Sequence, residues 1–101
     1  MNPERHCFLV KSKSAPTVEV EMPSQAAYVR FKRAAVARTV ARQAAELHLA
    51  VDLDKAGQVI GIEVVGFREL RLDRLIAKAR VQTPPGMELG KAVFRMTPCH
   101  A

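Results

Sequence analysis

The chain has 101 residues, 49% of them hydrophobic and 26% charged, which places it in the globular range and excludes two full domains. With no tryptophan, one tyrosine and four phenylalanines, its core must be built from aliphatic side chains, and a second copy would add apolar burial to a small domain. A formal charge of +6 suits nucleic acid, anionic lipid or an acidic protein without choosing among them.

The first apolar stretch, Cys7 to Val10, is too short for the hydrophobic region of a signal peptide, and no segment approaches a membrane span. The expectation is a cytoplasmic protein with no membrane partner. Cys7 and Cys99 are far apart and form no C-x-x-C pair, so reduced thiols are expected.

Residues 1–16 mix charge, serine and proline and read as a flexible N-terminal arm with at most a brief strand. From Thr17, Val18 and Val20 alternate with Glu19 and Glu21, which puts apolar groups on one face of a strand that Pro23 stops. Ala26 to Lys32 alternates again, with Val29 and Phe31 opposite Tyr28, Arg30 and Lys32, and pairs back through a turn at Met22 to Gln25. Ala34 to Leu47 is ambiguous, because its alanines, arginines and glutamines favour helix.

Leu47, Leu49, Val51 and Leu53 alternate with His48, Ala50, Asp52 and Asp54, the cleanest period-two run in the chain. Lys55-Ala56-Gly57-Gln58 supplies a turn in which Gly57 offers a positive φ, and Val59 to Val65 returns as the partner strand of a hairpin. That strand reads as apolar on both sides, with Ile60, Ile62 and Val64 facing one way and Val59 and Val65 the other, so both faces call for cover. Leu72, Leu75, Ile76 and Ala79 form one helical stripe behind an Asp73 cap, able to cover one face. A tail or a second subunit would cover the other. Thr83-Pro84-Pro85-Gly86 is read as the helix stop, and residues 83–101 as a Pro-rich extension with one short strand near Lys91 to Met96.

Val36-Ala37-Arg38-Thr39-Val40, followed by Val51-Asp52-Leu53-Asp54 and Gly57-Gln58-Val59-Ile60-Gly61-Ile62-Glu63-Val64, resembles the small bacterial family known as domain of unknown function 2283. Its pattern is a tyrosine-bearing early strand, here Tyr28, then a V-A-x-T-V strand and a V-D-x-D-x-x-G-x-V-V-G-I-E hairpin. The resemblance covers roughly Thr17 to Arg80. It implies an α+β fold with a small antiparallel meander of about four strands followed by one amphipathic helix, in a single domain over 17–82, and it makes Val36 to Ala41 a strand against local propensity. Two departures stand out. Met22-Pro23-Ser24-Gln25 replaces the acids that precede the tyrosine strand in the family, and the link from Thr39 to Asp52 is longer, with Gln43 to Glu46 as a loop or one helical turn.

Asp52, Asp54, Gly57 and Glu63 fall at positions 1, 3, 6 and 12 of the calcium-loop pattern, but position 5 is Ala56 and the flanks alternate like strands. Asp52, Asp54, Gly57, Gly61 and Glu63 are therefore a structural hairpin motif, with the acids at the turn. His6-Cys7 and Cys99-His100 would supply zinc ligands only if the two ends met, and exposed termini are the plainer reading. No cofactor or metal is expected. His48 has no nucleophile or orienting partner legible beside it, and phosphate loops, H-E-x-x-H and G-x-S-x-G are absent, so catalysis has no positive support.

Arg68, Arg71, Arg74 and Lys78 recur opposite the apolar stripe of the helix and would either contact phosphates or form a solvated face, with Arg30, Lys32, Arg33, Arg38 and Arg42 as a second basic cluster. The leading reading is a non-catalytic, antitoxin-like interaction module, a homodimer that self-associates through an uncovered apolar sheet face and binds a protein partner. The alternative is a nucleic-acid-binding protein using a basic helix and sheet rim.

Overall fold

The computed structural model describes residues 7–21, 24–44 and 47–97. Eight strands and one α-helix follow in the order β1 (Phe8–Leu9), β2 (Thr17–Glu21), β3 (Ala26–Arg30), β4 (Arg38–Ala44), β5 (Leu47–Leu53), β6 (Val59–Val65), α1 (Leu72–Lys78), β7 (Val81–Gln82) and β8 (Val93–Thr97), with a 3-10 turn at Leu89–Lys91. Six strands form one sheet in the order β4-β5-β6-β3-β2-β8, antiparallel except for the parallel pairing of β2 with β8. The α+β class is as expected, whereas a meander of four strands undercounts the sheet. β4 and β8 supply its two edges, and β1 pairs in parallel with β7 in a separate ribbon.

Residues 38–44 are a strand despite their helical composition. Val40 packs against the core beside Val51, its register partner on β5, so tertiary pairing outweighs the preference of alanine, arginine and glutamine for helix. The turn expected at Met22 to Gln25 and the link at Gln43 to Glu46 fall partly outside the described residues.

Val18, Val29, Ile62 and Val51 lie side by side across β2, β3, β6 and β5, and all are fully buried. They join Leu72, Leu75 and Ile76 of α1, together with Ala79, Val10 and Val81, in one largely aliphatic cluster that also takes in Phe31 and Phe67. The helical stripe thus faces the sheet as its spacing requires. Asp73 is not the cap. Arg71 occupies that position without a side-chain bond, and Asp73 sits in the first turn, where a negative charge complements the helix dipole. The helix also stops before Thr83-Pro84-Pro85-Gly86. Arg80 takes a left-handed φ of 57° and turns the chain into β7, whose pairing with β1 removes it from the helix.

The two-sided apolar face expected of Val59 to Val65 is not formed. Asp52 pairs with Gly61 but Leu53 pairs with Val59, so one residue of β6 is bulged out of register. The slip brings Val59 onto the same side as Ile62 and Val64, and all three join the core cluster. Ile60 is buried outside that cluster, and its carbonyl accepts the Phe31 and Lys32 amides at 2.8 and 3.3 Å. The opposite face of β6 then presents Gly61, Glu63 and Val65, of which only Val65 is a large apolar residue. No helix among the described residues is long and apolar enough to cross a membrane.

The β5–β6 turn is held by Asp54. Its Oδ1 accepts the Ala56 and Gln58 amides at 2.9 Å each, Lys32 Nζ donates to its Oδ2, and Gly57 takes the positive φ of 80°. The Lys32 hydrogen bond, followed by the Gln58 amide, holds the Asp54 carboxyl below its ordinary value of 3.8. A carboxylate with a lowered folded-state pKa contributes stability fully above that ordinary value and loses it as pH falls through the folded one. Asp54→Asn should therefore lower stability to urea at pH 7, and the difference from the parent should shrink below the carboxylate range. A difference independent of pH would rule this out.

Candidate functional site

On the sheet face away from α1, each strand contributes the residues that alternate with the core. Glu19 on β2, Tyr28 on β3, Glu63 on β6 and Ala50 on β5 lie in one row, and Thr17, Arg30, Gly61 and Asp52 in the next. Tyr28 crosses from one row to the other. Its hydroxyl donates to Asp52 Oδ2 at 2.8 Å, and Thr39 on β4 donates to Asp52 Oδ1 at 2.6 Å. β3, β5 and β4 are thereby tied across an open face, over the intervening β6.

Gly61 makes the crossing possible. A Cβ there would stand 2.4 Å from Tyr28 Cε1 and 2.5 Å from Cζ and Oη, so the ring occupies the space that any other side chain would need. Burial chiefly, then the bond to Asp52, pushes the tyrosine pKa well above its usual value, with Arg30 opposing. The Arg30 guanidinium lies 4.9 Å from the ring centroid. The phenol keeps its proton at neutral pH and serves as a donor that fixes strands, rather than as a base.

The hairpin motif thus divides. Asp54 and Gly57 build the turn, Asp52 and Gly61 belong to the tyrosine crossing, and exposed Glu63 lies beside Tyr28 and Ala50. Asp52 is not a turn residue, which separates it in function from Asp54. Among the described residues no group of three or more His, Cys, Asp or Glu side chains is placed to hold a metal. Cys7 is exposed, and the other members of the terminal His/Cys pairs lie outside the described residues. His48 is exposed on the open face.

Of the four basic residues read on the helix, Arg71, Arg74 and Lys78 share one cleft with Leu47, Phe67 and Leu70, whereas exposed Arg68 does not line it. Lys78 also lines a second cleft with Arg42, Gln43 and Arg80. Arg80, next to the helix, and Arg42, on the β4 edge above the Phe8 ring at 5.0 Å, therefore extend the basic strip. Arg71 is 3.9 Å from Asp73, a solvent-exposed pair of small energetic weight.

The two sheet edges differ. β4 carries Arg38 and Arg42, charges of the kind that discourage edge pairing. β8 exposes Val93, Phe94 and Met96, with relative exposures of 54%, 52% and 65%. Phe94 and Met96 share the core side of the sheet with their register partners Val18 and Val20 but lie beyond the cover of α1. Sequence reading placed a short strand near Lys91 to Met96, yet its apolar content gave no sign that it would end a sheet.

Comparison with family models, with curated proteins and with solved structures finds no match to this chain.

Gly61→Ala should displace the Tyr28 ring and break its bond to Asp52, at a cost of about 1–2 kcal/mol in urea denaturation. In a Tyr28→Ala background the same change should be neutral or stabilising, since alanine favours a strand more than glycine does. Equal cost in both backgrounds would mean that the crossing does not depend on the glycine.

Proposed function

We propose that this chain is a non-catalytic interaction module that self-associates along β8. The observation that carries the reading is the contrast between the edges. One is protected by charge, while the other presents an unpaired backbone flanked by Phe94 and Met96 on one side and Val93 on the other. An exposed apolar edge strand is a template for strand addition, main-chain hydrogen bonds supplying affinity and alternate side chains supplying specificity. A second copy fits best, because a two-fold axis sets the same apolar pair against itself and extends both sheets at once. The interface is therefore an edge rather than the open face, which is polar around Tyr28. The resemblance to the domain of unknown function 2283 family, read as antitoxin-like interaction modules, agrees with a role carried by binding.

The expected result is a dimer by sedimentation or light scattering, converted to a monomer by Phe94→Lys with Met96→Lys while circular dichroism is unchanged. A parent chain that stays monomeric at high concentration, or a variant that remains dimeric, would overturn the proposal.

A second reading, nucleic-acid binding, is favoured by the strip from Arg71 and Arg74 through Lys78 to the β4 rim. Contact of the three helix cations with phosphates predicts an affinity that falls by roughly 2.7 decades per tenfold rise in salt. Arg71→Glu with Arg74→Glu and Lys78→Glu should abolish it. Binding indifferent to salt, or untouched by these reversals, would remove this reading.

A further inference from the structure

A third basic cleft lies on the other face of the sheet. Arg30, Lys32, Arg33 and Arg95 line it with Ala15, Thr17, Glu19 and Phe31. Its volume, about 160 Å³, accommodates an ion or a single phosphoryl group rather than a drug-sized ligand.

The four cations are not equivalent. Lys32 is engaged with Asp54 and Gln58, so its charge is already answered. Arg33 and Arg95 are exposed, and neither they nor Arg30 forms an ion pair among the described residues. Arg30 is half-buried, stacked on Tyr28, and its Nε is shielded from water with no hydrogen-bond partner. Against three guanidinium groups stands one carboxylate, Glu19, which also borders a neighbouring hollow with Glu21, Tyr28 and Glu63. The balance is positive. Thr17 also lines the cleft.

From this geometry we infer an anion-binding site for a phosphate group at Arg30, Arg33 and Arg95. Guanidinium forks suit a tetrahedral oxyanion, because each offers paired donors in one plane. Arg30 is pre-set by its stacking on Tyr28, which the Asp52 bond and the vacancy at Gly61 hold in turn. The site shares no residue with the helix strip; Arg95 lies on β8 but on the face away from Phe94 and Met96, so the site borders the proposed edge without using its apolar pair.

The full chain should be titrated with inorganic phosphate, with pyrophosphate and with a short single-stranded oligonucleotide, at fixed ionic strength. Binding by at least one should move the NMR signals of the Arg30, Arg33 and Arg95 guanidinium groups. Arg33→Gln with Arg95→Gln, both at exposed positions, should weaken it about tenfold or more, and Arg30→Lys should weaken it with charge retained. Pyrophosphate binding without competition from the oligonucleotide assigns a free phosphate-bearing molecule. Tighter oligonucleotide binding, lost on the same substitutions, assigns a nucleic-acid backbone. Absence of binding by all three, or binding lost only through Arg74→Glu and Lys78→Glu, would overturn the site.

Discussion

β6 carries one residue more than β5 can pair, and that surplus decides which side chains meet the helix. Because side chains alternate with a period of two, a slip of one residue exchanges the faces of everything beyond it. Here the slip falls between Asp52 and Leu53, so Val59 joins Ile62 and Val64 under α1, while Gly61, on the regularly paired side of the slip, faces the other way beside Asp52. The continuity of the core at that end of the strand follows from it. Without the bulge, the strand would present apolar groups to both sides, and the sheet would need a second cover.

Gly61 then becomes the floor on which Tyr28 lies, and the ring becomes a lid over the only interior strand position, among the described residues, with no side chain of its own on that face. A single hydroxyl spans from β3 to β5, and Thr39 carries the tie to β4. The bond is local in distance and long in sequence. It stiffens the open face in a direction that backbone pairing alone leaves free to twist, and it gives the Arg30 guanidinium a fixed surface.

The hairpin from Val51 to Val65 was legible in its alternation and in Gly57, and the helical stripe of Leu72, Leu75 and Ile76 packs as its spacing requires. The position of the bulge was not legible, since a period-two reading of Val59 to Val65 simply runs through it. Gly61 did carry a signal. A glycine inside a strand marks a bulge or a close approach, and both are found around it. The role of β8 depended on its partner, β2, lying far away in sequence, which no local pattern can convey. The basic residues of the helix were visible, but their continuity with Arg42 and Arg80 is a product of packing. The family resemblance rests on the quoted residues alone.

The parallel pairings carry a consequence for how the chain assembles. Phe8 beside Val81 and Thr17 beside Val93 each close a loop containing most of the molecule, whereas β5 and β6 meet across one short turn. Loop-closure entropy delays distant pairings until a sheet exists to reward them. The strand bearing Phe94 and Met96 therefore docks late, and until it does the outer edge of β2 stands open. Two chains meeting in that interval have an exchange available to them, each lending its last strand to the other's β2.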